Sequence, residues 1–232
     1  MRVLIINPNS DQATETILRE TAEKFVQKRF EFDVVSMTTS PQLVVSYEDQ
    51  YASAAELAQT IRSSLDKYDA FVLACHADPN YDLAKEVACG KPVFGIAESS
   101  MHMAAMRNGG FAVITPSAGI IPKKFALARK YHVEEQLKAV VVSKGNDKQS
   151  LLEAAEEALK YPNVSAIVLG CANYAGSDAN IEKKHNLNMQ TDIHNKIIKI
   201  CRISVVFSVR AKSWHGSCFI KRQKEKQGVM CC

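Results

Sequence analysis

Seven predominantly apolar runs, each of strand length, alternate with segments whose apolar residues follow helical spacing. The runs span residues 2–6, 32–35, 70–74, 92–96, 111–115, 139–143 and 165–169. A strand that is apolar at nearly every position is buried on both faces, which is typical of parallel sheets covered by helices. The sequence therefore predicts an α/β fold in which parallel strands and helices alternate along the chain.

Polar residues indicate where three of the helices begin. Residues 9–12 precede an apolar helical stripe and suit an N-cap. Ser150 has the spacing of a capping box with a glutamate three residues later. Asp78, followed by a proline, predicts a helix that starts just after Cys75. Each of these positions follows a predicted strand, as in a βα unit.

The composition is that of an ordinary folded protein. The chain has 232 residues, 47% hydrophobic and 23% charged, which excludes disordered, collagen-like and coiled-coil classes. The longest apolar tract, 197–209, contains Lys199 and Arg202 and is shorter than the roughly 20 residues that a membrane helix needs. The first residues lack the long apolar stretch of a signal peptide. We expect no membrane contact and a cytoplasmic location.

Charge and cysteine content change near residue 185. Residues 185–232 carry nine Lys/Arg and two Asp/Glu, a net charge of +7, which leaves 20 basic and 23 acidic residues for the rest of the chain. Four of the seven cysteines also lie in this tail, and an odd count without a secretion signal favours free thiols. We predict two α/β domains, at 1–97 and 98–184, followed by an atypical basic, cysteine-rich tail at 185–232.

An internal repeat links two of the predicted strands. Residues 70–75 (AFVLAC) and 166–171 (AIVLGC) agree at four of six positions, and both end in a cysteine. In open parallel sheets, ligands bind at the carboxyl ends of the strands. Two halves related by an approximate two-fold axis would therefore place Cys75 and Cys171 on opposite walls of one cleft.

Two opposed thiols suit the inversion of a carbon that bears an acidic C–H. One face of the carbon needs a base and the other an acid, and a thiolate and a thiol can exchange these roles without a cofactor. A helix that starts after Cys75 would favour its thiolate. We expect Cys75 and Cys171 to be catalytic, and we expect no metal site, since adjacent cysteines such as those at 231 and 232 lack the spacing of zinc ligands.

These motifs resemble the hydantoin and allantoin racemases within the aspartate/glutamate racemase superfamily. The resemblance covers residues 1–184 and runs, in the family's order, through 5–10 (IINPNS), 74–79 (ACHADP), 95–98 (GIAE), 113–115 (VIT) and 169–172 (LGCA). It implies two similar α/β domains related by a pseudo-two-fold axis, an active site in the cleft between them, cofactor-independent racemisation by the two thiols, and homo-oligomers. Family members normally complete the first domain with elements near the carboxyl terminus, and the tail lacks their pattern.

Substrate-binding residues are expected around the two thiols. Some are polar residues in turns after strands, where they could stabilise an enolate, and others follow the motif positions or a neighbouring loop. The predicted set is Asn7, Ser10, Tyr47, His76, Ala77, Glu98, Thr115, Ser117, Gly170 and Ala172. The polar turn residues have a structural alternative as helix caps or turn formers.

The residues after the cysteines indicate a neutral substrate. Amino-acid racemases of the superfamily usually continue with Asn-Thr or Thr-Glu/His, whereas this chain has His76-Ala77 and Ala172-Asn173. A cyclic ureide, either allantoin or a 5-substituted hydantoin, is therefore the expected small-molecule substrate. The alternatives are an aspartate or glutamate racemase, a dicarboxylate isomerase or decarboxylase, and an inactive racemase-like protein with a basic interaction tail. Nucleic-acid binding is not favoured, because no aromatic platform or base-reading motif accompanies the basic run at 221–226.

Overall fold

The structure is a computed structural model and describes residues 1–26, 29–107, 109–177 and 181. Its strands are β1 (Arg2–Asn7), β2 (Glu31–Ser36), β3 (Ala70–Leu73), β4 (Val93–Gly95), β5 (Gly110–Thr115), β6 (Leu137–Val142) and β7 (Val164–Leu169). Its α-helices are α1 (Gln12–Val26), α2 (Tyr47–Ala52), α3 (Ala54–Ser64), α4 (Tyr81–Val87), α5 (Ile96–Ala105), α6 (Ile121–Lys130) and α7 (Lys148–Leu159). Every predicted apolar run forms one of these strands.

The strands pair in two parallel sheets. The first sheet has the order β2-β1-β3-β4 and the second has the order β6-β5-β7. Strand β1 of the first sheet corresponds to β5 of the second. Strand β3 pairs with β1 as β7 pairs with β5. Cys75 and Cys171 both lie just beyond the carboxyl ends of β3 and β7. The predicted α/β fold class with two similar halves is confirmed.

Helices cover both faces of each sheet. In the first sheet, α1 packs on one face, and α3 and α4 pack on the other. In the second sheet, α7 covers one face, and α5 and α6 cover the other. Strands β3 and β5 are accordingly buried at every residue, whereas buried positions alternate with less buried ones along the edge strand β6. The continuous apolar runs mark the central strands.

Of the predicted helix starts, the one at residues 9–12 agrees with the structure and the one at Ser150 does not. Asp11 caps α1, within the predicted tetrapeptide, and its carboxylate accepts hydrogen bonds from two amides in the first turn. Helix α7 starts earlier than the spacing of Ser150 implies. The carboxylate of Asp147 accepts from the amides of Gln149 and Ser150, so the predicted capping box at Ser150 is wrong because an aspartate three residues earlier already caps the helix.

Asp78 caps a helix other than the predicted one. Helix α4 begins after Asn80, and the side chain of Asn80 makes no capping hydrogen bond. The Asp78 carboxylate instead accepts from the amides of Ala97 (3.0 Å) and Glu98 (2.8 Å) in the first turn of α5. Gly95 permits this approach, because a Cβ atom there would lie 2.4 Å from the carboxylate.

Helix α5 connects the two halves. It follows directly from β4 of the first sheet, yet its buried residues Ala97, Met101 and Ala104 pack against the second sheet. The predicted domain boundary between residues 97 and 98 falls inside this helix. The domain ranges themselves stay a prediction.

Segment 41–53 contains a short helix that the apolar pattern does not reveal. Ser46 and Asp49 form a capping box, in which each side chain accepts from the backbone amide of the other residue. Tyr47 is thus the first residue of α2 and not part of a loop. In the described part of the chain, no helix is both long and apolar enough to span a membrane. The predicted tail at 185–232 lies outside the described residues.

Glu56 of α3 organises the loop that leads from β2 towards α2. Its carboxylate accepts six hydrogen bonds, from the amide and the hydroxyl of each of Thr38, Thr39 and Ser40. Burial raises the pKa of this carboxyl, but the hydrogen bonds outweigh burial and lower the pKa from 4.5 to about 2. The carboxylate therefore stabilises the folded chain above about pH 4.5, and this contribution is lost as the pH falls through about 2.

Replacing Glu56 by glutamine should lower the free energy of unfolding at pH 7 by about 2 kcal/mol, because six donors lose a charged acceptor. The difference from the unsubstituted chain should shrink as the pH is lowered from about 4.5 towards 2. Urea unfolding at several pH values measures both effects. Glu86→Gln, at an exposed position of α4, is the control and should change stability by less than about 0.5 kcal/mol. Equal losses in the two variants would contradict this role of Glu56.

Candidate active site

Cys75 and Cys171 line the same cavity. Both are free thiols, and both are partly open to solvent. The cavity has a volume of about 200 Å³, which suits a small ring compound better than a drug-sized ligand. The structure thus brings together the two cysteines that the internal repeat singles out, one from each half of the molecule.

Both halves also contribute other residues to the wall of the cavity. From the set expected to bind substrate, the structure places His76, Ala77, Gly170 and Ala172 in the lining. The lining also includes Asn9, Thr14, Leu43, Lys123, Lys124 and Asn173. None of the described lining residues is a carboxylate, and segment 43–45 supplies three apolar side chains. The wall therefore offers amide and hydroxyl groups and two lysine side chains beside an apolar surface.

The backbone has the same geometry at both sulfur atoms. The amide of Ala77 hydrogen-bonds to Cys75 and the amide of Asn173 hydrogen-bonds to Cys171, in each case two residues after the cysteine. Burial raises the pKa of both thiols, that of Cys75 to about 11, although these amides and the charge of Lys124 act in the opposite direction. Both cysteines are therefore protonated at neutral pH.

The expected stabilisation of the Cys75 thiolate by a following helix is thus limited to one amide. Helix α4 begins only at Tyr81, six residues after the cysteine, whereas Cys171 directly precedes a short 3-10 helix at Ala172–Tyr174. A thiolate at Cys75 also raises the cost of a second thiolate, because Cys171 and Cys75 are close enough to interact electrostatically. The site favours one thiolate at a time.

Lys124 lies between the loops that carry the two cysteines. Its side chain is buried, with 2% exposed. The Nζ atom donates to the carbonyl oxygen of His76 at 2.6 Å and to that of Gly170 at 3.0 Å. It also lies 3.0 Å from Nδ1 of His76. One side chain of α6 therefore joins the residue after Cys75 to the residue before Cys171.

His76 is held in one neutral tautomer. The Lys124 ammonium can only donate, so Nδ1 of His76 accepts, and Nε2 carries the proton and donates to the Ser100 hydroxyl at 3.0 Å. Ser100 in turn donates to the carbonyl oxygen of Ala97. Burial and the neighbouring Lys124 charge lower the pKa of His76 well below 6.5. His76 therefore supplies the cavity wall with a neutral ring.

Gly170 is required by close packing. A Cβ atom at this position would lie 2.7 Å from the carbonyl oxygen of Ile114 and 2.6 Å from a methyl group of Val113. Real Cβ contacts are essentially never this short, so a side chain here would push β7 away from β5. The glycine thus fixes the distance at which Cys171 stands from the central strand.

Glu98 belongs to a buried polar cluster outside the lining of the cavity. Its carboxylate accepts from the hydroxyl of Tyr81 at 2.6 Å. The neighbouring Asp78 carboxylate accepts from the hydroxyl of Tyr131 at 2.7 Å. Burial raises the pKa of Asp78 from 3.8 to about 6, although its hydrogen bonds act in the opposite direction. This cluster ties α4, α5 and α6 together beside the Cys75 loop.

Asn7 and Thr115 occupy corresponding places, as the last residues of β1 and β5. Both are fully buried, and neither lines the cavity. The Asn7 amide group donates to Asn9 and to Ser36. Within the described residues, Oδ1 of Asn7 and Oγ1 of Thr115 have no hydrogen-bond partner. Each of these strands therefore ends at a buried side-chain oxygen atom that can accept a hydrogen bond.

The remaining predicted substrate contacts lie outside the lining. The hydroxyl of Ser117 accepts from the amide of Gly119 and caps a 3-10 helix, and the amide of Ser10 donates to Pro41. Tyr47 is exposed, and its ring centre lies 5.1 Å from Nζ of Lys123. Tyr47 lines a neighbouring cavity instead. Ser117 thus has the structural role that its position in a turn allows.

Sequence patterns do not reveal Lys124 or Asn173 as site residues. Lys124 is one of two adjacent lysines in an amphipathic helix, and only the fold shows which of them is buried. Asn173 follows Cys171 by two residues, as Ala77 follows Cys75, so the internal repeat contains this signal. Thr14 hydrogen-bonds to the Asn173 side chain and links α1 to this loop.

Comparisons with known proteins place the chain in a family context. The sequence profile of a family described as Asp/Glu/Hydantoin racemase matches residues 3–194. A hydantoin racemase from Pseudomonas sp. (strain NS671) is 30% identical over 195 residues, which cover 79% of this chain and 78% of that protein. A hydantoin racemase from Paenarthrobacter aurescens is 27% identical over 188 residues, which cover 76% of this chain and 79% of that protein.

Solved structures share the fold. An allantoin racemase from Klebsiella pneumoniae has a TM-score of 0.80 at 22% identity and covers 92% of this chain and 88% of its own. With identity below 25%, this likeness concerns the fold alone.

The raised pKa of Asp78 predicts a pH-dependent stability. The contribution of the protonated Asp78 carboxyl to the free energy of unfolding is complete below the unfolded pKa of 3.8. It is lost as the pH rises through about 6. Asp78→Asn should therefore remove a stability change of roughly 2 to 3 kcal/mol between pH 4 and 7. Chemical unfolding across this range measures it, with the exposed Asp66→Asn as control. If Asp78→Asn left the pH dependence of the unfolding free energy unchanged, the carboxyl would not titrate as described.

Proposed function

The chain belongs to the Asp/Glu/hydantoin racemase family, and we propose that it is a cofactor-independent racemase of a cyclic ureide, either allantoin or a 5-substituted hydantoin. One observation supports the reaction most strongly. Two free thiols, Cys75 from one half of the molecule and Cys171 from the other, line one small cavity. The backbone amide two residues after each cysteine hydrogen-bonds to its sulfur atom. The two sulfur atoms therefore have similar surroundings, as expected if they act on opposite faces of one substrate.

In the proposed reaction, the two cysteines exchange roles. One cysteine, as the thiolate, removes the proton from the ring carbon next to a carbonyl, and the electron pair of the C–H bond moves into an enolate. The other cysteine, as the thiol, gives a proton to the opposite face of the same carbon. The first sulfur ends protonated and the second ends as a thiolate, so protons and charge balance within the pair. The reverse reaction uses the same pair with exchanged roles.

The wall of the cavity supports a neutral substrate. The described lining has no carboxylate that would pair with the ammonium of a free amino acid. Asn9 and Asn173 offer amide donors and acceptors that match the alternating N–H and C=O groups of a ureide ring. The apolar side chains of segment 43–45 face the same space. These features favour a cyclic ureide over aspartate or glutamate.

Enantiopure allantoin and a 5-substituted hydantoin should lose optical rotation in deuterated water as deuterium enters the stereocentre. Cys75→Ser and Cys171→Ser should each slow racemisation by about 10³-fold, because one face of the carbon loses its acid or base. Each single variant can still exchange the proton of one enantiomer without inverting it. Polarimetry and NMR of the recovered substrate distinguish inversion from exchange.

The matched control for these variants is Cys89→Ser. Cys89 is an exposed cysteine outside the lining of the cavity and should be replaceable with racemisation within about twofold of the unsubstituted chain. A folded chain that racemises neither substrate would overturn the proposed function. Full racemisation by either single variant would overturn the two-thiol mechanism.

The pH profile of kcat/KM should rise from neutral to alkaline pH. Burial raises the pKa of both thiols above the ordinary value of 9.0, that of Cys75 to about 11, so the form with one thiolate is a minor species at pH 7. Its fraction, and with it kcat/KM, should increase about tenfold per unit between pH 7 and 9. Initial rates at low substrate concentration measure this slope. A flat profile in this range would show that no thiol of the free enzyme titrates for the reaction.

A further inference from the structure

We propose that Lys124 is a positioning residue for the thiol pair: its buried ammonium joins the backbone beside Cys75 to the backbone beside Cys171 and serves both sulfur atoms as a shared counter-charge. This inference rests on the two-thiol reaction proposed above. It adds a buried residue of the cavity wall that acts on both thiols, through the loops and through its charge.

The hydrogen bonds of Lys124 hold the two cysteine loops at a fixed separation. Its Nζ atom donates to the carbonyl oxygens of His76 and Gly170, and these residues follow strands of different sheets. Each is the direct neighbour of a cysteine in the chain. A proton transfer from one sulfur to a ring carbon and from that carbon to the other sulfur depends on the distance between the sulfurs. Lys124 is placed to set that distance.

The surroundings of Nζ match the charged form of the side chain. An ammonium has three N–H donors and no acceptor. Two carbonyl oxygens, which can only accept, lie within 3.0 Å of Nζ, and Nδ1 of His76 at 3.0 Å can accept from the third N–H. A buried charge is tolerated when its hydrogen bonds are made in this way. His76 stays neutral, so the positive charge of this cluster is on Lys124.

The charge acts on both sulfur atoms in the same direction. Lys124 lowers the pKa of Cys75 and the pKa of Cys171. The other charged groups that face Cys75 are Cys171, when ionised, and Asp78, and both raise its pKa. Cys171 also faces the phenol of Tyr174, whose own pKa it raises. Lys124 is thus placed to make each thiolate accessible in turn, which a reversible racemase needs.

The test compares two adjacent lysines of α6. In Lys124→Met, the pKa of both Cys75 and Cys171 should rise by about one unit or more, as measured by the pH dependence of alkylation by iodoacetamide at each cysteine with mass spectrometry of the peptides. Lys123→Met is the matched control. Lys123 also lines the cavity but contacts Val45 and Tyr47, so both thiol pKa values should stay within a few tenths of a unit.

Racemisation provides the second readout. Lys124→Met should lower kcat by about tenfold or more and move the alkaline pH profile to higher pH, with a smaller change in KM. Lys124→Gln keeps a donor for the carbonyl oxygens but has no charge, so it should restore part of kcat without restoring the thiol pKa values. Unchanged thiol pKa values in a folded Lys124→Met chain would overturn the proposal, whether or not the protein racemises a ureide. Shifted pKa values in a protein without racemase activity would keep the role of Lys124 and overturn the proposed function.

A measurement on the unsubstituted protein covers the case in which neither variant folds. The 15N resonance of the Lys124 side chain should shift as each thiol ionises, in two steps. Selective alkylation of Cys75 or Cys171 should leave a single step. A resonance that does not respond to thiol ionisation would exclude the shared counter-charge.

Discussion

The side chains of the central strands of both sheets are buried on two faces. Polar side chains can therefore reach a ligand only where a strand ends. Strands β3 and β5 are buried at every residue, and helices cover each sheet from both sides. Parallel strands bring all their carboxyl ends to one edge of the sheet. The two cysteines, the buried ends of β1 and β5, and the loops that surround the cavity all follow from this arrangement.

At the two sulfur atoms, burial and local charge act against each other. Burial in the cleft raises the pKa of the thiols, whereas one backbone amide per sulfur and the ammonium of Lys124 lower it. Burial is the larger effect, so both cysteines are thiols at neutral pH. A buried thiol is a weak acid, but its thiolate is a strong base, which suits the removal of a proton from carbon in the proposed reaction. The thiolate is therefore a minor species at neutral pH, but it is a strong base.

The sequence predicts features that depend on local patterns and misses those that depend on distant contacts. The run at 111–114 is apolar at every position because the strand is central, so the strand can be predicted from this local pattern alone. The repeat around Cys75 and Cys171 likewise reveals the thiol pair. Asp78, in contrast, caps α5, nineteen residues away in the chain, and no local rule prefers that helix to α4. The burial of Lys124 depends in the same way on two loops from different sheets.

Helix α5 begins at the edge of one sheet and packs on the face of the other. A rotation of the two halves that changed the width of the cleft would have to change the angle between β4 and α5, which is set at Gly95. Asp78 binds the first turn of α5 and stands three residues after Cys75. Through these two hydrogen bonds, the start of the helix that packs on the second sheet is joined to the loop that carries Cys75 at the end of the first sheet.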